Sequence, residues 1–168
     1  KDFVMVHPSA NVEAVATGLV RGAFEYQGQK CSAASRAYVP KSLWNDVKAV
    51  MESQLKTIKM GSPEDPSNFI NAVIDKNSFE KCKGYIERAE KSAEANIIFG
   101  GKCNDSKGWF VEPTVIETTN PKYESVCEEI FGPILSVYVY EDKDWKETLK
   151  LVDETSPYSL TGSIFAQD

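Results

Sequence analysis

Two short stretches hold the residues best suited to chemistry. The first is FEYQGQKCSAASRAYVP, Phe24–Pro40. It sets a thiol, Cys31, behind a Gly-Gln-Lys turn and ahead of an apolar run. A free cysteine is most often a small buried hydrophobe. Three features of its neighbours argue otherwise here. Gly28 frees the backbone, Lys30 supplies a cation that favours thiolate, and Ser32, Ala33 and Ala34 are small enough to leave room for a substrate. The second stretch is EEIFGP, residues 128–133. It reads either as an acidic turn before a buried strand or as a carboxylate and a ring held at a strand mouth. A carboxylate accepts hydrogen bonds from sugar hydroxyls, and an aromatic ring packs on a flat cofactor.

Other chemistries fit less well. GAFEYQGQKCS has glycines at the spacing of a phosphate loop, but Gln29 stands where that loop needs lysine, and the segment leads from a helix into a strand rather than the reverse. No G-x-G-x-x-G fingerprint is present, so a dinucleotide would be bound elsewhere or by a fold that does not use it. His7 is the single histidine, and nothing marks it as the base of a triad. The four cysteines, Cys31, Cys82, Cys103 and Cys127, form no C-x-x-C pair, which disfavours zinc. Cys82 falls in an apolar helical stripe and reads as core. Cys103 falls in a polar turn and receives no role.

A net charge of −6 disfavours a nucleic-acid partner, and no apolar run is long enough for a membrane span. The even cysteine count and the Asn104-Asp105-Ser106 sequon would suit a secreted protein. Without a signal peptide, the thiols read as reduced and the compartment as intracellular. Lys1-Asp2 runs straight into a strand, and the sequence stops just after another. The expectation is a piece of a longer chain.

The elements that position these stretches follow from periodicity. Phe3–Val6 is a short buried strand. Val12, Val15, Ala16, Leu19, Val20, Ala23 and Phe24 form one helical face, in a helix capped by Ser9 or Asn11 and ending near Gly28. Ser35–Val39 reads as a strand stopped by Pro40. A second helix carries Trp44, Val47, Met51, Leu55 and Ile58, and a third carries Phe79, Cys82, Ile86, Ala89 and Ala93. Extended segments follow at 96–99, 109–111 and 114–118, then the nearly continuous apolar ILSVYVY. A helix with Trp145, Leu149 and Val152 leads to a last strand, Leu160–Phe165. Strands alternating with helices predict an α/β layered domain with a mostly parallel sheet.

With these stretches in place, the sequence resembles the aldehyde dehydrogenase superfamily. GQKCSAASRAYVP is similar to the family's catalytic cysteine segment and EEIFGPILSV to its downstream glutamate-phenylalanine motif. GGKCNDSKGWFVEPTVIE and YSLTGSIFAQD agree in order and spacing. Within the superfamily, FEYQGQKCSAASR with YVPKSLW is most similar to the members that act on glutamate semialdehyde.

The resemblance implies NAD-dependent oxidation of L-glutamate 5-semialdehyde to L-glutamate. Cys31 would be the nucleophile, through a thiohemiacetal and a thioester. Glu129, Phe131 and Leu160 would contact the cofactor, and Lys30 and Ser32 the substrate. It also implies that residues 1–168 are the truncated cysteine-bearing catalytic domain. The general-base glutamate would lie just upstream of Lys1, and the main NAD-binding domain and oligomerisation strands outside the chain. The isolated chain would be inactive. The parent would be a homo-oligomer, in the mitochondrial matrix if eukaryotic. Another aldehyde as substrate, or a module without chemistry, are the competing readings.

Overall fold

The computed structural model describes residues 1–167. Among these residues, six strands form one sheet, in the spatial order 95–99, 114–118, 134–140, 34–40, 2–6 and 162–165. They are β1 (Asp2–Val6), β2 (Ala34–Pro40), β3 (Ala95–Phe99), β6 (Thr114–Thr118), β7 (Ile134–Tyr140) and β8 (Gly162–Phe165). All neighbours are parallel except β3, which joins β6 antiparallel at one edge. A two-stranded ribbon, β4 (Cys103–Asn104) with β5 (Phe110–Val111), lies apart from the sheet.

Alternation along the strands sorts the helices into layers. Val4, Val6, Ala37, Val39, Leu135 and Val137 point to one face and pack against α1 (Val12–Phe24) and α2 (Lys41–Leu55). Met5, Tyr38, Ile116 and Ile134 point to the other. There they meet α3 (Lys76–Lys91), α4 (Glu124–Cys127) and α5 (Trp145–Glu154). The expected layered α/β domain is thus present. Asn11 caps α1, its Oδ1 accepting from Ala14 N at 2.9 Å.

Several boundaries differ from the sequence reading. Ile58 lies beyond α2, though it still packs against the core. Ala93 lies beyond α3 and is exposed. Leu149 is on α5 but 40% exposed, so the buried stripe there narrows to Thr148 and Val152. Trp109 precedes β5, and Cys103 belongs to β4, half-buried beside the α3 cluster, rather than to a turn. Leu160 precedes β8. Local pattern cannot see these ends, because tertiary contacts decide them.

Candidate active site

The cysteine segment is shaped by an abrupt stop to α1. After Phe24, Tyr26, Gln27 and Gly28 take φ of 56°, 57° and 63°, three left-handed residues in succession. Glycine does this freely, but Tyr and Gln pay roughly 1–2 kcal/mol each. Two side chains hold the turn. Gln27 Oε1 accepts from Asn71 N at 3.1 Å, and Gln29 Oε1 accepts from Ile74 N at 2.9 Å. Ala33 N then donates to Lys30 O at 3.1 Å, closing a second turn around Cys31 and Ser32. Both of these residues are exposed, so the thiol is presented to solvent at the mouth of β2. Lys30 is directed back to α1: its Nζ is 3.4 Å from Glu25 Oε2, and Arg21 contacts the other oxygen at 3.4 Å. The Lys30 hydrogen bond, followed by the Lys30 and Arg21 charges, holds the Glu25 carboxyl below the usual carboxylate range.

The second stretch lies beside the first. Glu129 is half-buried; its Oε1 accepts from Ser35 Oγ at 3.5 Å, and its Oε2 is 2.6 Å from the Lys1 main-chain nitrogen. Its carbonyl accepts from Lys81 Nζ at 2.6 Å. Phe131 has φ 61° and is 43% exposed, a strained backbone presenting a ring outward. The two loops touch through glycine. A Cβ at Gly28 would overlap the Gly132 carbonyl oxygen, and one at Gly132 would overlap Cys82 Sγ. Between them lies a groove of about 640 Å³. It is lined by Tyr26, Gln27 and Gln29, by Ile130 and Phe131, and by Lys81 and the 71–78 segment.

Leu160 is exposed in the loop before β8. Its N–H donates to Asp2 Oδ1 at 2.7 Å, which also accepts from Thr161 N at 3.1 Å and Ser159 Oγ at 3.0 Å. Asp2 therefore binds the Leu160 loop to the head of β1. The Lys1 ammonium is buried, within 3.4 Å of Ser35 O. Burial pulls its pKa down to about 7, against the attraction of Glu129. Arg36, 2% exposed, donates to Lys1 O, Tyr38 Oη and Val152 O at 3.1, 2.8 and 2.9 Å. Sequence reasoning gave Asp2, Arg36 and Lys81 no part. The available signal was a charged pair set directly before a buried strand.

The exposed thiol and the carboxylate-and-ring loop thus lie on neighbouring loops of a mostly parallel sheet, and the fold is one shared with known proteins. The chain belongs to the aldehyde dehydrogenase family, whose model matches residues 1–168. The mitochondrial delta-1-pyrroline-5-carboxylate dehydrogenase of Dictyostelium discoideum is 58% identical over 99% of this chain and 30% of its own length. The human mitochondrial enzyme of that name is 53% identical over 100% of this chain and 30% of its own. Among solved structures, the NAD-bound Delta-pyrroline-5-carboxylate dehydrogenase from Mycobacterium tuberculosis superposes with a TM-score of 0.91. It is 41% identical, over 99% of this chain and 30% of that one. The chain therefore spans about 30% of the length of the curated relatives it matches.

Proposed function

We propose that this chain is the cysteine-bearing part of an NAD-dependent dehydrogenase that oxidises L-glutamate 5-semialdehyde, the open form of pyrroline-5-carboxylate, to L-glutamate. The observation that carries the reading is the exposed Cys31, set on a left-handed turn whose glycine abuts the Glu129–Gly132 loop. A cysteine kept only for packing would be buried, as Cys82 is.

In this reading the Cys31 thiolate attacks the aldehyde carbon, and its own backbone N–H helps to hold the resulting oxyanion. Sulfur stays bonded through the thioester and is freed when water hydrolyses it to the acid. NAD, when bound, supplies the hydride acceptor. The 128–133 loop fits its nicotinamide-ribose end: the half-buried Glu129 carboxylate offers acceptors to ribose hydroxyls, and the outward Phe131 ring, which lines the groove, offers a flat surface. Leu160, exposed and tethered to Asp2, would add an apolar contact to the cofactor. The rest of the cofactor and the base that activates water are supplied by other parts of the longer protein. Ser32, exposed beside the thiol, donates to the charged end of the substrate. Lys30, paired with Glu25, contributes charge near the thiol rather than a direct contact. The relatives' names support a mitochondrial setting in a eukaryote.

The test is Cys31→Ala in the full-length protein. It abolishes oxidation of glutamate semialdehyde and leaves NAD binding largely intact. Residual turnover above a few per cent would show that another group is the nucleophile.

A further inference from the structure

The loop that carries Glu129 has little structure of its own. It leaves α4 at Glu128, whose N–H donates to Glu124 O at 2.8 Å, and regains regular pairing only where Ile134 begins β7. Its interior is held by one face of α3. Lys81 bonds the Glu129 carbonyl, Cys82 abuts Gly132, and the Tyr85 hydroxyl donates to the Glu128 carboxylate in a short hydrogen bond. These residues stand at i, i+1 and i+4, so they project from neighbouring positions on the helix surface.

Tyr85 is built as a strut. It is 6% exposed, and the Arg88 guanidinium lies 4.5 Å from the ring centroid. Arg88 is itself fixed by two bonds to Glu124, at 2.8 and 3.0 Å. A ring with two torsions, packed on one face, delivers its hydroxyl to one place. Burial, followed by the Glu128 hydrogen bond, raises its pKa, so it remains a donor across the working pH range. Glu128, by contrast, is exposed. Left alone, its carboxylate would be free to turn into water, and the Glu128–Glu129 backbone would keep only the Glu124 and Lys81 bonds.

We propose that Tyr85, acting through Glu128, is a positioning residue: it fixes the direction in which Glu129 presents its carboxylate to the cofactor. The proposal rests on the reading of Glu129 as a ribose contact. It requires no contact between Tyr85 and any ligand. The effect must therefore be transmitted through Glu129, and that makes it separable from a general loss of structure.

The experiment is a double-mutant cycle in the full-length protein, read as NAD dissociation constants by titration. Tyr85→Phe removes one oxygen and keeps the packing. It weakens NAD binding at least fivefold in the parent background and less than twofold when Glu129→Gln is already present. Glu128→Ala, at an exposed position, reproduces that pattern from the other end of the bond. Glu128→Gln, which keeps an acceptor, recovers most of the affinity. If Tyr85→Phe weakens NAD equally in both backgrounds, or in neither, the proposal is overturned while the reading of Glu129 stands. If Glu129→Gln binds NAD as the parent does, both fall.

Discussion

Gly132 offers a quantitative test of how the Cys31 and Glu129 loops are spaced. Gly132→Ala would put a methyl group onto Cys82 Sγ, which is fully buried in α3. The loop cannot retreat the other way, because the Gly132 carbonyl already rests against Gly28. Forcing one methyl into such a site costs about 1–3 kcal/mol. Cys82→Ala alone removes a single buried heavy atom, worth on the order of 1 kcal/mol. In the double variant the new methyl occupies the space the sulfur left, so both penalties shrink. The double loss should fall short of the summed single losses by about 1–2 kcal/mol, within the range found for residues in contact. Equilibrium urea unfolding of the chain measures this as midpoint shifts at constant slope. Additivity within about 0.5 kcal/mol would refute the contact as the element that sets the spacing.

Two further outcomes follow from the same geometry. Iodoacetamide at neutral pH should label Cys31 at least a hundredfold faster than Cys82. Burial pushes the Cys82 thiol up to about 12, which leaves roughly one part in 10⁵ as thiolate at pH 7. Mass mapping that finds equal labelling would remove the case for a presented thiol. Ser32→Ala in the full-length protein should lower kcat/KM for glutamate semialdehyde about tenfold, since a hydrogen bond to a charged group is worth roughly 1.5–3 kcal/mol. A neutral aldehyde of similar length should be barely affected; an equal loss on both substrates would mean that Ser32 positions Cys31 instead.

Much of this architecture was legible in the residue pattern because it is local. The seven-residue apolar stripe of α1 and the run ILSVYVY each declare their element and their burial. Cys31 and Glu129 stood out because neither fits the bland reading of its surroundings. The backbone at both loops was far less legible. Gly28 signals a left-handed residue, but nothing in Tyr26, Gln27 or Phe131 does; their φ values are imposed by partners such as Asn71, which lies 44 residues from Gln27. Asp2 is less readable still, because the loop it holds is 157 to 159 residues away. Lys30 gives the opposite lesson. Its ion-pair partner Glu25 stands only five residues earlier, within reach of local pattern. Trp109 and Leu160 have strand-forming side chains but stand outside β5 and β8, because ladder pairing sets the ends.

The three left-handed residues after Phe24 have a rival in the helix they interrupt. Tyr26, Gln27, Gln29 and Lys30 are all acceptable in an α-helix, and only Gly28 opposes it at about 1 kcal/mol. Were the grip of Asn71 and Ile74 on the two glutamines lost, the cheapest refuge for the segment would be two more turns of α1. At a rise of about 1.5 Å per residue, those turns would carry position 31 roughly 10 Å along the helix axis. The thiol would leave the mouth of β2 altogether. The loop from Asn71 to Ile74, which holds neither Cys31 nor Glu129, therefore helps to decide where the thiol stands.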